Sequence, residues 1–102
     1  MAKIKIKTEG ESFTLKCTDV LGANGILCTH KTEGYPQFWT LSHKPSGMGI
    51  KKKLKTQMEA EYYGRWFWLE LPESAKIKFD SSDAQIVGES IPKWLRKQVN
   101  AD

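Results

Sequence analysis

A chain of 102 residues suits one domain and leaves no room for two. With 39% hydrophobic residues, 27% charged residues and eleven aromatics it holds the material of a buried core. No run approaches the roughly 18 apolar residues of a membrane span, the first ten residues alternate Lys with Ile rather than building a signal peptide, and two Cys cannot brace a secreted scaffold. The net charge of +4 is unevenly spread: residues 1–55 carry ten Lys against four acids, net +6, whereas residues 56–102 carry six basic groups against eight acids, net −2. Membrane proteins, disulfide scaffolds and large multi-step enzymes are excluded, and the expectation is a single cytoplasmic domain over 1–102 with free thiols and no membrane partner.

In chain order, Lys3 to Thr8 alternates Lys with Ile and reads as a half-buried strand; Glu9-Gly10-Glu11 is a turn, and Phe13, Leu15 and Cys17 mark a second strand in a hairpin with the first. Gly22 and Asn24-Gly25 are turn signals. Ile26 to Lys31 is a short third strand, and Phe38 to His43 a fourth, rich in aromatics. Pro45 to Gly49 reads as a loop with Ser46 as N-cap of a helix, because Ile50, Leu54, Met58 and Tyr62 fall at steps of four and Gly64 offers a stop. Arg65 to Leu71, apolar on both faces, reads as a central strand, Ala75 to Asp80 as another, and Gln85 to Val87 as a last short one. Ser90 and Pro92 open a C-terminal helix with Trp94, Leu95, Gln98 and Val99 on one face. The fold class expected is α+β: a mostly antiparallel sheet of five to seven strands with one central amphipathic helix and a short C-terminal helix.

The segment His43-Lys44-Pro45-Ser46-Gly47-Met48-Gly49-Ile50-Lys51-Lys52-Lys53 joins a predicted strand to a predicted helix through two glycines. Amides at a helix start carry partial positive charge, so Ser46, Gly47 and Gly49 with the following lysines form a candidate phosphate cradle, set against a plain capped helix start. It matches neither Walker A nor G-x-G-x-x-G. Trp39-Thr40-Leu41-Ser42-His43-Lys44-Pro45-Ser46-Gly47 followed by a helix resembles a Trp…[Ser/Thr]-His-x-Pro-[Ser/Thr]-Gly pattern of small accessory proteins of phages and mobile elements. The resemblance spans about a quarter of the chain, Trp39 to Tyr62, and implies a small cytoplasmic protein that binds nucleic acid or a host protein. It supplies no catalytic residues.

Cys17, Cys28, His30 and His43 lack the closely spaced pairs of zinc modules, and no carboxylate pair suggests acid–base work, so no metal, cofactor or enzymatic activity is assigned. The leading expectation is a non-enzymatic binding protein whose lysine-rich face, built from Lys3, Lys5, Lys7, Lys51, Lys52, Lys53 and Lys55, holds a nucleic-acid backbone, DNA or RNA. Fourteen of sixteen basic groups are Lys, which suits phosphate contact better than base reading. Trp66 and Trp68 could stack bases on the sheet. The alternative is a phage-type inhibitor that docks on a host or defence protein through Tyr62, Tyr63, Trp66 and Trp94.

Overall fold

The structure, a computed structural model, describes residues 2–8, 11–32 and 34–101, with the backbone alone at 2, 3, 5–8 and 11–13. All its strands precede residue 55 and all its helices follow residue 56: β1 (Ala2–Thr8), β2 (Glu11–Asp19), β3 (Leu27–Thr32), β4 (Tyr35–His43) and β5 (Met48–Leu54), then α1 (Gln57–Glu70), α2 (Glu73–Lys78), α3 (Ala84–Ser90) and α4 (Lys93–Asn100). The chain is therefore α+β with an antiparallel sheet, as expected. The strand count and the single central helix are corrected: β2–β5 form one four-stranded sheet, β1 adds to β2 as the outer arm of a hairpin, and four helices follow.

The strands run in sequence order, each antiparallel to the one before. β1 and β2 pair along their length, from Ala2↔Cys17 to Thr8↔Glu11, a register that puts Ile4 opposite Leu15 and Ile6 opposite Phe13. β2 meets β3 at only two pairs, Thr18↔Thr29 and Asp19↔Cys28. Upstream of these it diverges from β3. The link between them closes with the Val20 amide donating to Leu27 O at 2.9 Å, and Asn24, Gly22 and Gly25 take the left-handed φ that such a tight path requires.

β5 replaces the predicted helix start. Lys44 to Gly47 is a hairpin turn in which the Gly47 amide donates to His43 O at 2.9 Å and Gly47 takes φ +75°. β5 then pairs with β4 from His43↔Met48 to Trp39↔Leu54, with a bulge where Lys53 adopts φ +64°. The step-of-four pattern from Ile50 to Tyr62 fails because the backbone restarts at Thr56. This residue is the N-cap of α1, its hydroxyl accepting from the Glu59 amide at 3.0 Å, while Glu59 Oε2 accepts from the Lys55 amide at 3.1 Å.

α1 continues through Gly64, the predicted stop, and absorbs the predicted strand 65–71. Its face of Ala60, Gly64, Phe67 and Trp68 lies against β3 and β4. Gly64 permits this closeness: a Cβ there would sit 2.8 Å from both Leu41 Cδ1 and Val20 Cγ2. The predicted strand at 75–80 is α2, because only Ala75 and Phe79, four apart, enter the core while Ile77 between them is exposed. The predicted strand at 85–87 is α3, N-capped by Asp83, whose carboxylate accepts from the Gln85 and Ile86 amides. α4 is the expected C-terminal helix, with Pro92 rather than Ser90 at its cap. It buries Leu95 and Val99 and turns Trp94 outward.

The main core joins Val20, Leu27, Leu41 and Leu54 of the sheet half to Phe67, Phe79, Val87 and Leu95 of the helices. Fully burying a side chain the size of Phe67 or Phe79 contributes about 1.5–3 kcal/mol. A second small cluster of Ile4, Cys17 and Cys28, with Leu15 against it, lies under the β1–β2 arm. No helix is long and apolar enough to cross a membrane among the described residues.

Candidate nucleic-acid interface

The divergence of β2 from β3 opens a cleft of about 310 Å³ lined by Leu15, Lys16, Cys17, Thr18, Thr29, His30, Lys31 and Trp39. Lys31 pairs with Trp39 across β3 and β4, and Lys16 of β2 lines the same cleft as Lys31. A second cleft of about 460 Å³ is lined by Thr32, Tyr35, Gln37, Phe38, Lys52 and Lys53. Consecutive residues of β3 contribute to the two, Lys31 to the first and Thr32 to the second. Together they put four lysines and three aromatic rings at the end of the β3–β4 hairpin, and Tyr35 is 61% exposed.

The ion pairs among the described residues are Lys44–Asp19, Arg65–Glu61 and Lys76–Glu73, so Lys16, Lys31, Lys52, Lys53 and Lys55 enter none of them. Apart from Lys31 on β3 and Lys16 on β2, these cations sit on β5 and the linker to α1, all in the basic half of the chain, which is also the sheet half. Lys52 lies close enough to His30 to help lower that ring's pKa, after the larger effect of burial. Four ammonium groups outside the ion pairs of the described residues attract an anion over a distance set by ionic strength.

The lysines predicted from sequence separate into three groups. Lys52 and Lys53 are exposed at the second cleft, and Lys55 is exposed on the linker to α1. Lys51 is not available, because its Nζ donates to Val99 O at 2.7 Å and Ala101 O at 3.1 Å, capping the C-terminal carbonyls of α4. Lys3, Lys5 and Lys7 lie on β1, and their side chains fall outside the described residues.

The phosphate cradle at Ser46, Gly47 and Gly49 is corrected. No helix begins there, and the Gly47 and Met48 amides are already bonded, to His43 O and Ser46 Oγ. Gly49 pairs with Ser42 inside the sheet. The motif around them instead builds a buried joint. His43 is fully buried; its Nε2–H donates to Phe79 O at 2.6 Å, its Nδ1 accepts from the Ser46 hydroxyl at 2.7 Å, and its ring meets Phe79 edge-on at 5.1 Å. His43 thus ties the sheet to the helices.

A second imidazole–hydroxyl pair joins β3 to β4. His30 Nδ1–H donates to Lys31 O at 2.8 Å, so Nε2 accepts from Ser42 Oγ at 2.8 Å. This is the hydrogen-bond order of a hydrolytic pair. Ser42 is fully buried, however, and its hydroxyl has no path to a substrate. Burial lowers the pKa of both His30 and His43 below the ordinary 6.5, against the raising effect of their backbone partners. Both rings are therefore neutral in the folded state at neutral pH, while in the unfolded chain they take up protons as pH falls below 6.5. The unfolded state binds more protons in that window, so stability is full above pH 6.5 and declines below it. Urea unfolding at pH 7.5 and pH 5.0 is expected to show the lower midpoint at pH 5.0, and equal midpoints would contradict the neutral assignment.

The aromatic candidates are redistributed. Trp66 and Trp68 sit on α1, not on a strand. Trp68 is 8% exposed, with Lys76 Nζ 5.2 Å over its ring, and Trp66 is half-buried, edge-on to Tyr63 at 5.3 Å. Neither offers a stacking face on the sheet. Tyr62 and Trp94 are exposed, on α1 and α4 respectively.

Cys17 and Cys28 are buried free thiols in one small cluster, and burial pushes both above the ordinary thiol range. They lie with Ile4, whereas His43 faces Phe79, so the four residues weighed as a metal set do not converge. No described group of three His, Cys, Asp or Glu side chains could hold a metal ion.

Sequence reasoning passed over Lys16, Lys31, Tyr35 and Phe38. The signal for the two lysines was the turn at Asn24-Gly25, which folds β2 back on β3. The signal for the rings was Gly34, which turns β3 into β4. No protein-family model, curated protein or solved structure matches the chain.

Proposed function

We propose that the protein is a non-enzymatic module that binds the phosphate backbone of single-stranded nucleic acid at the end of the β3–β4 hairpin. One observation carries this reading: Lys16, Lys31, Lys52 and Lys53 line two clefts with Trp39, Tyr35 and Phe38, and none of them enters the ion pairs of the described residues. Ammonium groups neutralise phosphates and release counterions, while an exposed ring gives a base a surface to stack on, worth about 1–3 kcal/mol per base. Lysine contacts of this kind do not depend on base identity. A single strand is favoured over a duplex because it can turn its bases toward Tyr35.

The competing reading, an inhibitor docked through Tyr62, Tyr63, Trp66 and Trp94, has less support. Tyr63 and Trp66 pack against the core, and the two exposed rings stand on different helices.

Anisotropy titrations with a labelled deoxythymidine oligonucleotide and with a duplex, each at 50 and 200 mM salt, test the proposal. Tighter binding of the single strand, weakened steeply by salt and accompanied by a change in Trp fluorescence, is expected. Binding that is absent at 50 mM salt, or indifferent to salt, refutes it.

A further inference from the structure

α1 is apolar on the side that faces solvent as well as on the side that faces the sheet. Met58 is 66% exposed, Tyr62 58% and Leu69 79%. With Arg65 they follow one another at spacings of four, three and four, which aligns them along a single stripe of the helix. A helix apolar all round is ordinarily a covered helix. Arg65 lies in the stripe with its guanidinium 5.4 Å over the Tyr62 ring, and its Nε donates to Glu61 Oε2 at 2.8 Å.

We infer that this stripe is the seam of a two-fold dimer, in which α1 packs antiparallel against α1 of a second copy. The occupant follows from the order of the residues. Reversed and laid on itself about a point between Tyr62 and Arg65, the stripe sets Met58 against Leu69 of the second copy and Tyr62 against Arg65 of the second copy. Both aliphatic pairs and both cation–ring pairs are then satisfied at once. A parallel pairing would instead stack Arg65 on its own counterpart. Each Arg65 keeps its own Glu61, so no uncompensated charge enters the seam.

An unrelated partner would have to match this pattern independently; a second copy matches it by symmetry. About three turns of helix cover less than the ~800 Å² per partner of a standard interface, so the dimer is a weak one whose population depends on concentration. The inference does not rest on nucleic-acid binding, since the clefts lie on other residues.

Sedimentation equilibrium of the full chain, treated with nuclease and kept in reductant, tests it over a concentration series. The mass is expected to rise from 11.6 kDa toward twice that value at micromolar to millimolar concentration. Leu69→Glu, at the most exposed position of the stripe, is expected to weaken association by about tenfold or more with an unchanged circular dichroism spectrum. A mixture of Met58→Cys and Leu69→Cys chains is expected to cross-link under mild oxidation, and Leu69→Cys alone is not. A monomer throughout the series, a dimer that Leu69→Glu leaves intact, or a cross-link formed by Leu69→Cys alone each overturns the inference.

Discussion

Replacing Lys16, Lys31, Lys52 and Lys53 together with glutamate is expected to abolish oligonucleotide binding while the fold is retained. These side chains lie at the clefts and enter none of the ion pairs of the described residues. If each lysine neutralises one phosphate of a single strand, the wild-type log–log salt slope is about −3, because each contact contributes about −0.7. That slope corresponds to a roughly fiftyfold loss of affinity between 50 and 200 mM salt. Each single Lys→Ala change should reduce the slope by a little under one unit and weaken all sequences alike. Lys51→Met gives the contrast. It removes the cap on Val99 O and Ala101 O, so it should lower thermal stability and leave the salt slope unchanged. Equal loss of binding in Lys51→Met and in the quadruple variant would mean that the clefts are not the site.

The largest effect on stability is expected at Gly64. A Cβ there already meets Leu41 and Val20 at 2.8 Å, so the longer side chain of Gly64→Leu cannot enter without moving α1 off the sheet. Overpacking of this kind costs about 3 kcal/mol or more, which in a domain of this size lowers the melting temperature by roughly 12–24 °C. Gly88 predicts the opposite sign. It lies inside α3 with only Met48 Sδ within reach, at 3.8 Å, so Gly88→Ala should gain up to about 1 kcal/mol of helix stability. Differential scanning calorimetry of the two variants checks both. If Gly64→Leu melts with the wild type, the close approach of α1 to β4 is wrong.

Much of the sheet half was legible because its signals are local. Strict alternation from Lys3 to Thr8, and from Phe13 to Thr18, fixes two strands and their hairpin, and Asn24-Gly25 and Gly34 mark turns that the structure contains. The helical half was misread where two periodicities competed. In Trp66-Phe67-Trp68-Leu69 the apolar run fits a strand as well as a helix, and in Ala75-Ile77-Phe79 alternation and a step of four coincide. Burial decided between them: Ile77 is exposed while Ala75 and Phe79 are not, which only a helix allows. A better start signal for α1 was present in Thr56-Gln57-Met58-Glu59, in which the Thr56 hydroxyl caps the Glu59 amide. The step-of-four series beginning at Ile50 masked it. The candidate site was only partly visible, since Lys52 and Lys53 stand out as a run, but Lys16 and Lys31 gain meaning only when β2 and β3 are placed side by side. Lys51 looks identical to its neighbours in sequence, and the difference is made by an α4 carbonyl nearly fifty residues away.

A meander in which every strand lies next to its predecessor needs only short loops to close, so the sheet can assemble by successive local zippering with little entropy lost at any one step. The trailing helices have no such advantage: they are fastened through distant partners, the imidazole of His43 reaching Phe79 and the amine of Lys51 reaching the last turn. Refolding should accordingly yield an early species with protected amides in β3 and β4, on which the C-terminal third docks afterwards as a separate kinetic event.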